Sequence, residues 1–259
     1  MKIVVLVKQV PDPEARVTVR PEPGPGALAV EDRWVTSFFD EVALEKALQL
    51  RDEHGGAVTA VTAGSGKAVD ALRRALAFGA DRAVQIADPA LGDDHLALSC
   101  ALAAFVRTVA PDLCLAGRAA MDDDAGFVGP AVAELLGWPH VAGALGLEVE
   151  SGGGLRVTRQ TDDGQELVAL GLPALVTAGK GLASPRVPPV TLVMKAMRAK
   201  IEKLDLAALG LAPAELEPKT AVLSYRPPRS RGNVRMIAGE PPECVRTLLA
   251  LLREQAKVL

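Results

Sequence analysis

Apolar runs and amphipathic stretches alternate along the first half of the chain. Runs rich in valine, leucine and alanine predict four buried strands, at 2–8, 57–62, 83–86 and 112–116. Apolar residues recur at helical spacing in four further segments, at 37–53, 63–78, 94–109 and 130–137. Because strands and helices alternate in this order, we predict an α/β fold with a doubly wound, mostly parallel sheet.

The periodicity changes after the fourth predicted helix. Apolar and polar residues then alternate in three segments that are separated by glycine- and aspartate-rich turns, at 147–150, 155–161 and 166–170. This alternation predicts an antiparallel β meander. A buried strand at 174–178 follows, and then a proline-rich loop at 179–193 that leads into a basic helix start with Met194 and Lys195.

Two segments depart from the strand–helix pattern. Residues 14–34 include a β-branched run at 17–19 and a stretch of prolines and glycines at 21–26, which predict a hairpin or a loop excursion. The alternation also ends near Leu204. We therefore predict a nucleotide-binding α/β domain at 1–203, with a partner-recognition loop at 179–200. Residues 204–259 are predicted to be an arm and helix that pack on a partner, the alternative being a loosely attached tail.

Composition excludes several classes of protein. The chain has 259 residues, 49% of them hydrophobic, and a formal net charge of -3, which does not suggest a nucleic-acid binder. Since no apolar run reaches about 18 residues, we expect no direct membrane insertion. The first residues lack the form of a signal peptide, so we expect a cytoplasmic protein. Cys100, Cys114 and Cys244 have no metal-ligand spacing, and no metal site is predicted.

The candidate chemistry lies between the fourth strand and the following helix. Gly117, Asp122, Asp123, Asp124 and Gly126 occupy this crossover, and ligands bind at the carboxyl ends of strands in open α/β sheets. Glycines let the backbone approach a phosphate, whereas carboxylates suit ribose hydroxyls or backbone N–H groups. A solvated acidic loop with an N-cap aspartate is the alternative.

Other familiar motifs are missing. The fingerprint G-x-G-x-x-G does not follow the first strand, and a P-loop fails at Val61 and Ala68. None of His54, His95 and His140 stands beside a serine or cysteine in a recognised catalytic motif. We therefore expect a Rossmann-like domain without catalytic residues, in a binding or carrier subunit rather than an enzyme.

Several segments together resemble the β subunit of electron transfer flavoproteins. The most specific is 157–168, an apolar residue and a basic residue before an acidic-glycine turn, with Pro173 ahead of the next strand. Residues 5–12 are similar to the family's N-terminal strand and loop, and 75–82 to its A-L-A-M-G-A-D segment. Residues 117–130 resemble its nucleotide loop.

The resemblance implies a heterodimer with an α subunit that holds most of the FAD, while the β subunit buries a structural AMP. It also implies that the flavin carries electrons from acyl-CoA and related dehydrogenases, as in fatty acid oxidation, to a quinone oxidoreductase. The AMP contacts carried over by position are Leu6, Ser37, Phe38, Phe39, Asp40, Ala63, Gly117, Asp122, Asp123, Asp124, Gly126, Phe127 and Val128. Pro13 and Phe39 align with positions that approach the FAD, and Val190, Met194 and Lys195 with the partner-recognition segment.

The sequence departs from the family pattern in the phosphate turn. Many bacterial members carry a threonine and a glutamine there, whereas this chain has Ala125, Gly126 and Phe127. Side-chain hydrogen bonds of about 1 kcal/mol each are thereby lost. One alternative is a bifurcating, NADH-using flavoprotein subunit with a second FAD. Another is a stand-alone nucleotide-binding signalling module.

Overall fold

A computed structural model describes residues 1–20, 27–64, 66–228, 232 and 234–259. Its contacts divide the chain into two units, Met1–Tyr225 and Arg226–Leu259. The first unit contains the whole central sheet and the helices that cover it. That residues 204–259 pack on a partner stays a prediction.

The first unit has thirteen strands and five helices in its described part. The strands are β1 (Lys2–Leu6), β2 (Gln9–Pro11), β3 (Val17–Val19), β4 (Leu28–Val30), β5 (Trp34–Thr36), β6 (Ala57–Ala63), β7 (Arg82–Ile86), β8 (Leu113–Gly117), β9 (His140–Val149), β10 (Leu155–Thr161), β11 (Gly164–Leu170), β12 (Ala174–Ala178) and β13 (Glu202–Leu204). The helices are α1 (Phe38–His54), α2 (Val69–Phe78), α3 (His95–Val109), α4 (Val128–Leu136) and α5 (Val190–Arg198).

Nine of these strands form one sheet in the order β11-β10-β9-β12-β8-β1-β6-β7-β13. Seven neighbouring strands pair in parallel, in the order β9-β12-β8-β1-β6-β7-β13. The remaining two are antiparallel, since β10 pairs with β9 and β11 pairs with β10 in that orientation. The predicted doubly wound sheet and its antiparallel meander are therefore confirmed.

Strand β1 shows why the sheet is apolar on both faces. Ile3 and Val5 face one hydrophobic cluster, which also contains residues of α1 and α2. Val4 and Leu6 face the other, with residues of α3 and α4. Because both faces of the strand are covered by helices, its sequence is continuously apolar rather than alternating.

The polar edge of the sheet was not predicted. Glu202 and Lys203 of β13 are exposed. The guanidinium of Arg82, on β7, forms a bidentate ion pair with the carboxylate of Glu202. A three-residue strand with this composition has no strand pattern of its own, so pairing with β7 decides its structure. Leu206 and Leu216 follow it and are buried in the cluster of α3 and α4, within the first unit.

Several element boundaries also differ from those predicted, three of them by more than two residues or in the type of element. Strand β9 begins at His140 rather than 147, because its first half pairs in parallel with β12. Helix α2 follows a short 3-10 turn and begins at Val69. The segment 179–200 is not all loop, since α5 occupies its second half and begins at Val190, directly after Pro189.

The predicted hairpin is present as β3 and β4, which pair antiparallel, and the stretch 21–26 lies outside the described residues. The second unit contains α6 (Pro241–Leu251), on which Val245, Leu248 and Leu249 are exposed. In the described part of the chain, every helix is too short or too polar to cross a bilayer.

Candidate functional site

A pocket lies at the carboxyl ends of three parallel strands. Leu6, Ala63 and Gly117 end β1, β6 and β8, and all three line it. The pocket is completed by α3 and by the loop that joins β8 to α4. It therefore lies on the side of an α/β sheet where ligands bind.

The carboxylate of Asp40 connects the backbone segments that follow β1 and end β8, at the floor of the pocket. Its Oδ1 accepts the N–H of Gly117 at 2.9 Å, and its Oδ2 accepts the N–H of Lys8 at 2.8 Å. Burial raises the pKa of Asp40 to about 7, against the two backbone hydrogen bonds, which lower it. One side chain of α1 thus fixes the ends of β1 and β8.

The first turn of α1 lies against Gly117. A Cβ atom at this position would meet the carboxylate of Asp40 and would lie 2.8 Å from the Cβ of Phe39. Real Cβ atoms essentially never approach a neighbour so closely. Glycine is therefore required here by close packing.

Lys8 holds the acidic loop in place. Its Nζ lies 2.8 Å from Asp122 Oδ1 and 3.0 Å from Asp123 Oδ2. Burial lowers the pKa of Lys8, but hydrogen bonds and charge attraction from these two carboxylates outweigh it and raise the pKa above its usual value. Two of the three adjacent aspartates thus face one ammonium group.

The carboxylate of Asp123 also contacts His95 and the backbone of the loop. Asp123 Oδ2 lies 3.1 Å from Nε2 of His95, and Asp123 Oδ1 accepts the N–H of Ala125 at 3.0 Å. Burial raises the pKa of Asp123, but the Ala125 and Lys8 hydrogen bonds outweigh it and leave that pKa below the usual value. The ring of His95 also stacks on Phe127, with centroids 6.2 Å apart.

Two left-handed residues give the loop its shape. Asp124 has φ +47° and Gly126 has φ +61°, a region that glycine and aspartate adopt more readily than most residues. The loop then enters α4 at Val128, so the first N–H groups of this helix have no partner within it. Such groups at the edge of a pocket suit an anion.

Comparison with known proteins shows the family of the chain. A family model described as the electron transfer flavoprotein domain matches residues 27–209. The chain belongs to the electron transfer flavoprotein family. It is 36% identical to the electron transfer flavoprotein subunit beta of Bacillus subtilis, over the whole of both chains. The protein of that name from Clostridium acetobutylicum is 40% identical over 82% of this chain and 83% of its own length. That of Sus scrofa is 32% identical over 100% and 99%.

Membership of the electron transfer flavoprotein family makes this chain a subunit of an electron carrier that involves a flavin, rather than an ordinary enzyme. Eight of the residues carried over by resemblance line the pocket, namely Leu6, Asp40, Ala63, Gly117, Asp123, Gly126, Phe127 and Val128. The structure thus brings together residues that come from four separate parts of the chain.

The remaining carried-over residues do not line the pocket. Ser37 is fully buried at the start of α1, and the N–H of Phe38 points to the sulfur of Met121 at 3.1 Å. Phe39 packs beneath the guanidinium of Arg118, 4.8 Å from its ring centroid. Asp122 faces Lys8, as described, and the side chain of Asp124 is 73% exposed. Pro13 is exposed in the turn that follows β2.

The predicted partner-recognition residues lie on α5. Val190 and Met194 are 77% and 49% exposed, and Lys195 is also exposed. Val187 and Met197 extend the same exposed apolar surface. We call Val187, Val190, Met194 and Met197 the α5 patch.

Sequence reasoning missed two charged or titratable residues of the site. Lys8 and His95 both line the pocket, as does Arg118 of the predicted loop. Lys8 follows the apolar run of β1 directly, which is a position that marks the carboxyl edge of the sheet and could have indicated it. His95 offered no such signal, because it begins a helix far from the acidic loop in sequence.

Proposed function

We propose that this chain is the β subunit of a heterodimeric electron transfer flavoprotein of the cytoplasm. The α subunit holds most of the FAD, and this chain holds a structural AMP. The complex carries electrons from acyl-CoA and related dehydrogenases to a quinone oxidoreductase. The observation that carries the proposal is the pocket at the carboxyl ends of β1, β6 and β8, built from family positions.

The residues present fit an adenine nucleotide. Leu6, Ala63 and Val128 give the pocket apolar walls for a base. The lining also contains the polar side chains of Asp123 and Arg118, which suit ribose hydroxyls and phosphate respectively. The hydroxyl of Ser37 is buried without a hydrogen-bond partner within the described residues, but Ser37 does not line the pocket and does not support the assignment.

The phosphate would be held mainly by backbone. Lys8 is already paired with Asp122 and Asp123, so its charge is largely compensated. The N–H groups at the start of α4 are then the best donors for an anion, and the left-handed Gly126 directs the loop toward them. This arrangement replaces the threonine and glutamine that the loop lacks.

FAD, when bound in the heterodimer, supplies the electron-accepting and electron-donating chemistry. This chain contributes binding surfaces rather than proton transfer. Pro13 and Phe39 approach the flavin from the β side, and Arg118 holds the ring of Phe39 in place. The α5 patch supports docking of a dehydrogenase, because exposed apolar surface of this kind marks interaction sites.

The test is chromatography of the nucleotides released when the purified heterodimer is denatured. One FAD and one AMP per heterodimer is the expected result. Two FAD and no AMP would instead identify a bifurcating, NADH-using complex. A colourless monomer that binds nucleotide but no α subunit would contradict the proposal and favour a signalling module.

A matched pair of variants tests the site itself. Asp124→Ala removes a loop carboxylate and, since alanine is unfavourable at φ +47°, disturbs the turn. We expect less retained AMP, with FAD unchanged. Asp163→Ala, in the exposed turn between β10 and β11, is the control. Equal AMP content in both variants would remove Asp124 from the site.

A further inference from the structure

An ion pair between a buried carboxylate and a partly exposed arginine joins α1 to the residue that precedes the α5 patch. Arg186 donates to Glu45 through its backbone N–H at 3.2 Å and its Nε at 2.7 Å, both to Oε2. Its second guanidinium nitrogen reaches Oε1 at 3.0 Å. The side chain of Glu45 is only 5% exposed, whereas that of Arg186 is 34% exposed, so the carboxylate is shielded from water and the guanidinium is partly solvated.

We call the ion pair of Glu45 and Arg186 the Arg186 clamp. Two further contacts support it. Gln49, one turn later on α1, donates its side-chain amide to Glu45 Oε1 at 3.1 Å. Asp52 Oδ2 lies 3.6 Å from the Arg186 guanidinium. The carboxylate of Glu45 is therefore satisfied on both oxygens, and the arginine is held by its side chain and its backbone at once.

The Arg186 clamp lies where the chain leaves its contact with α1 and becomes exposed to solvent. Residues 183–189 have no regular secondary structure. Pro185, Pro188 and Pro189 cannot donate backbone hydrogen bonds. Arg186 is held against α1, yet Val187, the next residue, is 91% exposed.

The packing of α5 on α2 is a second anchor for the α5 patch. Ala196 is the buried residue of α5, and α5 packs against α2. The patch residues from Val187 to Met194 thus lie between the Arg186 clamp and the α2 contact. A segment fixed at both ends loses less conformational entropy when a partner docks.

We propose that Glu45 and Arg186 are positioning residues, whose ion pair holds the α5 patch in the conformation that docks the dehydrogenase. The inference rests on the proposed function, in which the patch is the docking surface. Neither residue lines the nucleotide pocket. Their effect is on the affinity for the dehydrogenase and not on flavin chemistry.

The main variant is the double substitution Glu45→Gln/Arg186→Met in the full heterodimer. It removes both charges together, because a lone buried carboxylate would destabilise the fold. Arg186→Lys keeps the positive charge but cannot form the bidentate contact with both carboxylate oxygens of Glu45. Arg159→Met is the control, since it breaks a 2.7 Å ion pair with Glu166 on the β10–β11 hairpin.

The first measurement is amide hydrogen exchange of the heterodimer without dehydrogenase. We expect faster exchange at Arg186, Leu192 and Val193, whose N–H groups are hydrogen-bonded, in the double variant, with the rest of α1 and the flavin spectrum unchanged. This readout does not depend on what docks. Unchanged exchange at these amides would overturn the inference, whatever the function of the protein.

The second measurement is reduction of the heterodimer by a medium-chain acyl-CoA dehydrogenase and its acyl-CoA substrate. In the double variant we expect KM for the heterodimer to rise about tenfold with kcat nearly constant. Arg186→Lys should fall between it and the wild type, and Arg159→Met should match the wild type.

Val190→Asp separates the inference from the proposed function. If Val190→Asp raises KM and the double variant does not, the clamp has no positioning role and the docking surface stands. If neither variant changes KM, the patch is not the docking surface, and both the surface and the clamp's role in docking are overturned.

Discussion

The side chain of Asp40 and the backbone of Gly117 meet across 77 residues of sequence, with Oδ1 accepting the Gly117 N–H at 2.9 Å. Asp40 lies in the first turn of α1, and Gly117 ends β8. The same carboxylate accepts the N–H of Lys8, just after β1. The pocket therefore has a floor in which one helix and two parallel strands are fixed by one side chain.

Gly117→Ala should disrupt this floor. The new Cβ would lie 2.8 Å from the Cβ of Phe39 and would also meet the Asp40 carboxylate. We expect a loss of about 1–3 kcal/mol in the free energy of unfolding, typical of overpacking, measured by urea denaturation. Gly171→Ala is the control, because a Cβ there meets nothing within 4 Å. Equal midpoints for the two variants would contradict the close contact.

Asp40→Asn should change how stability depends on pH. The pKa of Asp40 is raised by burial from 3.8 to about 7 in the folded chain. The folded state therefore binds an extra proton between these values, and stability falls as pH rises from about 4 to 7. We expect this decline, of up to roughly 4 kcal/mol, to be absent from the asparagine variant.

The measurement is chemical denaturation of both proteins at pH 5, 6, 7 and 8. Groups other than Asp40 titrate equally in the two proteins, so the difference between their curves isolates this carboxyl group. Parallel pH curves for wild type and variant would show that Asp40 is ionised throughout.

Lys8→Met should loosen the acidic loop. Without the ammonium group, Asp122 and Asp123 lose the ion pairs of 2.8 and 3.0 Å and repel each other. We expect AMP affinity to fall about fivefold, as for the loss of an ion pair at a partly exposed site. The assay is the ratio of AMP to FAD released from the heterodimer. Lys219→Met, which removes an exposed pair with Glu217, should leave the ratio unchanged.

Asp94→Ala should free the segment around Thr220, which the Asp94 carboxylate holds at the start of α3. Asp94 Oδ1 caps α3 through the N–H groups of Leu96 and Ala97, while Oδ2 accepts the hydroxyl of Thr220 at 2.6 Å. The Thr220 hydroxyl and the Ala97 N–H outweigh burial and lower the pKa of Asp94 to about 2. Loss of the cap alone should cost about 1 kcal/mol in the free energy of unfolding.

The sign of the pH effect provides a second check. Because the pKa of Asp94 is depressed in the folded chain, its stabilisation is present above about pH 4 and is lost as pH falls toward 2. The difference between wild type and Asp94→Ala should shrink over that range. Asp93→Ala, at the exposed neighbouring position, should have little effect at any pH.

The sequence by itself determined the architecture of the sheet. Buried strands such as β1 and β12 are apolar along their whole length, and the meander strands alternate, because each pattern depends on which faces of a strand are covered. It also determined the place of the candidate site, since a loop of glycines and aspartates between β8 and α4 must lie at the carboxyl edge.

Tertiary structure alone decided which side chains meet. Lys8 pairs with aspartates 114 and 115 residues away, and Arg186 reaches Glu45 over 141 residues. Periodicity reports only local burial, so it carries no information on such partners. The short strand β13 likewise exists because β7 offers it an edge. Contacts of this kind depend on how distant segments are placed by the fold, and only the folded chain brings them together.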